Sequence, residues 1–282
     1  MMYGFLTAAD GVPGAVPGIL ADAFGVQVSE IDVSEISELE SRNWDALVTC
    51  EYEQVEGDLP WSLSIYKANE VAENPSEDEL AILLSKGLDA PVFYGWSGEL
   101  PWIRRVAQPD GGITLARLDE SNGDGTGFSV QAAESSLTGF PNVPVENFPE
   151  VVRALDIPTP VTDSAVPAGM GEGLERVRSL LANWERLCIR MRSNWPPSGW
   201  YSAEMYQEDL KLRDQLEVIP KASSEADQIR NSLAVLDSQY REMSVEDHGH
   251  ALSAALEEQI AVVQDKAWYW QRCPVVLPWA GE

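Results

Sequence analysis

Lysine is almost missing from this chain, at 5 residues of 282 beside 14 arginines and 46 aspartates and glutamates. Histidine occurs only at His248 and His250, and cysteine only at Cys50, Cys188 and Cys273. Cysteines so far apart and odd in number form neither a disulfide framework nor a CxxC metal pair, so buried reduced thiols are expected. The two histidines share a face only on an extended segment, yet they stand at a helix start. No HExxH motif or cysteine cluster supplies the further ligands that zinc needs, and Asp247 reads as the cap of the helix that follows. No cofactor is expected. No apolar run reaches the roughly 18 residues that cross a bilayer. The start, "MMYGFLTAADG", lacks both the positive charge of a secretory signal and a lipidation motif, so a cytoplasmic location is expected.

Motifs that carry chemistry are also absent. "FYGWSGELPW" puts Ser97 after a strand as a nucleophile elbow would, but Glu99 stands where the motif needs glycine and Pro101 interrupts the following helix. In "DESNGDGTGFSVQAAE", Asn122, Asp124, Thr126 and Gly127 match the early positions of a calcium loop. Ala133 occupies the position of its closing glutamate, so a solvated hairpin loop is the reading. Gly11, Gly14 and Gly18 fit neither nucleotide-binding spacing, and the prolines among them suggest a simple loop. With so many acids, carboxylate pairs arise by chance and say nothing of glycosidase chemistry.

What is present is a foldable, strongly acidic chain. Apolar residues make up 44% and tryptophan occurs 10 times, which supports a real core. The formal net charge is −27, unevenly spread. Residues 1–167 hold 28 acids against 7 bases, and residues 168–282 hold 18 against 12. Before Lys67 the sequence contains a single base, Arg42. A field of this sign repels nucleic acid and anionic membrane and attracts a cationic partner. Solubility and adaptation to salt give the same composition, so charge alone does not identify its purpose.

Patterning predicts an α+β chain in two domains. Residues 1–156 read as a mixed or antiparallel sheet with short helices. "MYGFLTAA", "GVQVSEIDV", "WDALVTCEYE", "WSLSIYK", "APVFYGW", "WIRRVAQ", "GITLARLDE" and "GTGFSVQAA" read as strands, and "VPGILADAF" as a short helix with Pro17 near its first turn. "SEDELAILLSKGL" is a helix opened by Ser76 and closed into a capping box by Glu79. A Pro-rich linker is expected over 157–170. Residues 171–282 read as an all-α antiparallel four-helix bundle with an aromatic tail. Its stripes run from Leu174 to Trp195, Met205 to Ile219, Ala226 to Met243 and Leu252 to Trp270.

Within the second domain, "YQEDLKLRDQLEVI" and "LAVLDSQYREMSVED" are similar to a helical module of uncharacterised actinobacterial proteins. Those proteins resemble the immunity proteins paired with secreted bacterial toxins. The resemblance implies a toxin-neutralising role and carries no catalytic residues.

The most informative stretch is the hairpin around "CEYEQVEGDLPW". Alternation turns Trp44, Ala46, Val48, Cys50 and Tyr52 one way and Asp45, Glu51 and Glu53 the other, with Glu56 and Asp58 at the tip. A one-residue slip would bury the acids, so the core pattern holds them outward. The expectation is a non-enzymatic binding protein that takes a basic toxin or nuclease domain through Asp45, Glu51, Glu53, Glu56 and Asp58. Trp268 and Tyr269, displaced from the last apolar stripe, are further contact candidates. Two rival readings are a hydrolase or transferase using scattered carboxylates, and an adaptor that dimerises through the helical bundle.

Overall fold

The computed structural model describes residues 2–40, 42–96, 100–120, 127–169, 171–217 and 224–279. The chain divides into two compact units, Met1–Phe148 and Pro149–Glu282. The first is a mixed sheet with two covering helices. Its strands are β1 (Met2–Thr7), β2 (Ile31–Glu35), β3 (Val48–Gln54), β4 (Glu56–Gly57), β5 (Trp61–Lys67), β6 (Val92–Gly95), β7 (Ile103–Ala107), β8 (Ile113–Glu120) and β9 (Gly127–Ala133). Helices α1 (Val12–Phe24) and α2 (Glu77–Leu88) interrupt them.

Strand order is β2-β3-β5-β1-β6-β7-β8-β9-β4. The pairs β2–β3 and β4–β9 are parallel and the rest antiparallel. This order forces a closure. β3 lies next to one edge, whereas β4, only Val55 further along the chain, lies at the opposite edge. The sheet must therefore curl until the tip of the β3–β5 hairpin meets β9. Its inner face holds Leu6, Phe93, Val106, Ala116, Leu118, Val130 and Ala133, and Leu59 from the hairpin tip is fully buried among them. Its outer face packs Tyr3, Phe5, Val48, Cys50, Leu63 and Ile65 against Val16, Leu20 and Phe24 of α1 and Leu80 and Leu84 of α2.

Both helices have local reasons to form. Ser76 Oγ accepts from Glu79 N–H at 3.3 Å while the Glu79 carboxylate accepts from Ser76 N–H at 2.7 Å, the box read from sequence. α1 starts earlier than the pattern suggests. The glycine- and proline-rich segment read as a loop is its first turns, with Pro13 near the start and Pro17 inside. Pro13 suits a first turn, whose N–H groups have no partner within the helix. Burial of Val12, Val16, Leu20 and Phe24 offsets the hydrogen bond that Pro17 removes. "GVQVSEIDV" is also only half strand, because Val28–Glu30 form a 3-10 turn before β2.

The second unit overturns the all-α four-helix bundle. Among the described residues it has three long helices, α5 (Glu172–Arg192), α6 (Ala203–Leu216) and α7 (Ser224–Glu242), with α5 packed against both others. The expected fourth helix is broken into α8 (His250–Ala255), α9 (Ile260–Gln264) and a 3-10 turn, Trp268–Gln271. A two-stranded sheet joins the helices, β10 (Ser244–Glu246) against β11 (Arg272–Pro274). The break falls where Glu257 takes a left-handed φ of 54°. Leu252, Val263 and Trp270 nonetheless reach the core. An apolar stripe at three- and four-residue spacing specifies burial once per turn, and bent short pieces satisfy it as well as one straight helix.

The expected linker is folded as well, and the boundary falls before it, after Phe148. Helix α3 (Pro149–Ala154) and helix α4 (Pro160–Ala165) belong to the second unit. Buried Glu185 on α5 accepts the N–H groups of Val161 and Thr162 at 2.8 and 2.7 Å, an anion on the first turn of α4. Val152 and Val166 enter the helical core.

Gly57 makes the closure of the sheet possible. Its φ is +94°, and a Cβ there would lie 2.3 Å from the Phe128 carbonyl oxygen. Gly57→Ala is expected to lower unfolding stability by about 2 kcal/mol or more, through strain and loss of the β4–β9 pairing. A urea midpoint equal to that of the parent protein would show that the closure carries no stability.

Candidate functional site

Opposite the helices, β2, β3 and β5 present a polar face. Register places Ser34, Glu51 and Ser64 in one row across the three strands, with Glu53 beside Ser62 in the next. The segment between β2 and β3 is folded against this face by Arg42. Its guanidinium pairs with Glu51 and donates to the carbonyls of Glu38 at 3.0 Å, Ile36 at 3.2 Å and Glu35 at 3.4 Å. The Arg42 side chain is only 9% exposed. Asn43 N–H donates to Asp32 Oδ1 at 2.9 Å, and the same carboxylate accepts from Ser34 Oγ at 2.8 Å. Thus the only base before Lys67 is used inside the fold. Arginine suits the task because its planar fork serves several acceptors at once.

The structure divides the five hairpin acids by role. Asp45, Glu53 and Glu56 are exposed and have no ion-pair partner among the described residues. Glu51 is committed to Arg42. Asp58 is part of the closure, where its N–H donates to Phe128 C=O at 2.7 Å and its Oδ2 accepts from Val130 N–H at 2.9 Å. Sequence alternation correctly turns Val48 and Cys50 inward, but it continues too far upstream. The strand begins at Val48, and Trp44, expected on the buried face, is 73% exposed.

Of the two aromatic contact candidates, Tyr269 lies in the core and Trp268 at its margin. Tyr269 is 0% exposed and donates from its hydroxyl to Asp214 Oδ1 at 2.6 Å, while Trp270 Nε1 donates to the same oxygen at 2.9 Å. Trp268 is half-buried, edge-on to Tyr240 and Tyr269, with the Arg241 guanidinium 3.6 Å from its ring centre. Around these rings runs a buried polar network. Arg213 Nη2 and Nε reach the two oxygens of Asp237 at 2.8 and 3.1 Å, and Trp184 Nε1 donates to Asp237 at 3.0 Å. Tyr206 and Tyr240 share a hydroxyl–hydroxyl hydrogen bond. Buried polar groups that are satisfied in this way specify one packing.

All three cysteines are buried and free, and burial pushes the Cys50 thiol up to about 12 and the Cys273 thiol up to about 11, far from the thiolate form. His248 and His250 are exposed. Asp247 accepts from Gly249 and Ala251 N–H groups at 2.9 and 2.7 Å, as the cap of α8. Among the described residues, no three His, Cys, Asp or Glu side chains converge as metal ligands would. Ser97 and the glycine-rich loop 121–126 lie outside the described residues. An open cleft of about 510 Å³ between α1 and α2 holds two carboxylates, Glu73 and Glu79. Glu79 is the capping-box residue, and the hydrogen bonds from the Ser76 backbone and side chain hold its carboxyl below the ordinary range. It is thus a poor proton donor. Among the described residues, no helix is long and apolar enough to cross a membrane. No family model, curated protein or solved structure matches this chain.

One titration is expected to be visible in stability. Burial raises the Asp209 carboxyl to about 7, against the opposing pull of the Tyr201 hydroxyl at 2.5 Å and of Arg190 and Arg153, with Glu208 adding to the rise. The folded state therefore keeps this proton to higher pH than the unfolded chain does. Its contribution is most favourable at acid pH, falls as pH rises from about 4 towards about 7, and is constant above. Asp209→Asn should flatten the dependence of melting temperature on pH between about pH 4 and about pH 7. An unchanged pH profile in that variant would show that Asp209 is ionised throughout.

Proposed function

We propose that this chain is a non-enzymatic binding protein whose acidic surface takes a basic protein partner, such as a toxin or nuclease domain that it neutralises. The observation that carries this reading is the use of Arg42. With that cation held internally by Glu51 and three carbonyls, Asp45 before β3, Glu53 on β3 and Glu56 on β4 are left exposed, with no ion-pair partner among the described residues. Preorganised carboxylates of this kind speed encounter with arginine- and lysine-rich surfaces and discriminate against acidic ones. The first unit holds 25 acids against 6 bases, so its long-range field has the same sign as this local surface.

The test is a comparison of the parent protein with an Asp45→Asn/Glu53→Gln/Glu56→Gln variant, each used as bait in lysate of the source cells at low and high salt. The parent is expected to retain a stoichiometric basic protein at low salt. The variant should associate with that protein about tenfold more slowly and with a flatter salt dependence, at unchanged melting temperature. Equal association by both proteins would remove these three carboxylates from the binding surface.

A further inference from the structure

The acidic field says what charge a partner carries but not where it docks, and the edge of the sheet supplies the place. β2 is an edge strand, with β3 on one side and no strand on the other among the described residues. Leu47 N–H donates to Glu30 C=O and Ile36 N–H to Tyr52 C=O, which fixes the alternation of backbone groups along β2. Even-numbered residues turn their N–H and C=O groups to β3, so Val33 and the N–H of Glu35 turn theirs outward. Natural edges are usually blunted by lysine, proline or a bulge. β2, with the sequence IDVSE, has none of these, and among the described residues the segment that follows it engages the Asp32 carboxylate and the Glu35 carbonyl but not the backbone of Val33.

The same edge is bordered by exposed apolar side chains. Val28 precedes β2 and is 56% exposed, and Ile36 follows it at 50%. Leu39 and Trp44, 60% and 73% exposed, belong to the segment that Arg42 and Asn43 fasten to β2. Acids stand between them in sequence: Glu30, Glu35, Glu38, Glu40 and Asp45. Leu39 and Trp44, carried by the one segment fastened to β2, are the two most exposed of these groups, and a large exposed aromatic is the kind of anchor that a binding surface uses. The charge also disfavours a second copy as occupant, because two such edges would repel one another.

We infer that the free edge of β2 binds an extended, basic segment of the protein partner by strand addition. The segment's backbone pairs with Val33 and Glu35, its apolar side chains pack on Trp44 and Leu39, and its arginines or lysines face the neighbouring carboxylates. This deepens the proposed function and rests on it, since a cationic partner is what the flanking acids select.

The probes are a nine-residue peptide alternating arginine with valine, and the same peptide with every backbone amide N-methylated. N-methylation keeps the charge and side chains but removes the donors that a sheet edge pairs. The parent peptide is expected to bind and to slow hydrogen exchange at the amides of Val33 and Glu35. Binding should weaken at least about tenfold on N-methylation, and by about tenfold in a Trp44→Ala/Leu39→Ala variant, while a Trp44→Phe variant, which keeps an aromatic ring beside the Arg42 guanidinium, should retain most of it. Equal binding of the two peptides, both weakened by the Asp45→Asn/Glu53→Gln/Glu56→Gln substitutions, would overturn strand addition and leave the acidic-surface reading standing. Binding insensitive to those charge substitutions as well would bring down both. Failure of the parent peptide to bind, or a dimer in sedimentation that Trp44→Ala/Leu39→Ala abolishes, would overturn the docking of a basic strand on this edge.

Discussion

The acidic margin of the first unit follows from how one arginine is used. With no other base before Lys67, this stretch of chain can neutralise one carboxylate from within itself, and it pairs Arg42 with Glu51. Three of the guanidinium's other contacts go to backbone carbonyls that lie at the end of β2 and in the turn beyond. A single cation thus orders the crossover between two parallel strands and fixes where the remaining acids stand. A charged fork that is itself only 9% exposed and serves several acceptors at once is worth more than the same charge in solvent, where exposed ion pairs contribute little. The result is a sheet margin with acids and apolar groups outside and its cation inside.

The second constraint is the curling of the sheet. Because β4 follows β3 almost at once yet pairs at the far end of the strand order, the hairpin tip is a seam and not a free loop. Gly57 permits close approach to Phe128, Asp58 replaces a missing strand partner for Val130, and Leu59 fills the interior. The acidic tip is therefore partly structural, and only some of its carboxylates are available to a partner. In the second unit, acids are spent differently. Asp214, Asp237, Asp209 and Glu185 each accept hydrogen bonds from tyrosine, tryptophan, arginine or backbone groups, which ties short elements into one core.

Local signals in the sequence carry over where the governing interaction is local. The capping box at Ser76 and Glu79, the outward and inward alternation of β3 and β5, and the Asp247 cap all depend on residues within a few positions of one another. What the pattern misses depends on distant partners. The seam needs Phe128 and Val130 of β9, far along the chain from Gly57, and no period in the hairpin announces them. The stripe from Leu252 to Trp270 correctly marks buried positions, yet the same stripe fits one long helix or three short pieces. The choice rests on tertiary contacts such as Trp270 with Asp214. Pro158, Pro160 and Pro167 suggest a linker by composition, but the carboxylate that organises the segment, Glu185, belongs to another helix. Tyr269 lies off the stripe and is still buried, because a 3-10 turn replaces the helix that the stripe implies. Trp44 is the converse case, an aromatic assigned to the core by extending an alternation beyond the strand that produces it.

The account predicts an address for the partner, and zero-length coupling of carboxylates to amines reads that address directly. A complex captured from source lysate would be treated with a carbodiimide and the joined peptides identified by mass spectrometry. Lysines of the partner joined to Asp45, Glu53, Glu56 and the acids flanking β2, with Glu51 and Asp58 left uncoupled, are the predicted result. Joined peptides confined to carboxylates of the helical unit, or a captured partner that is itself acidic, would contradict it.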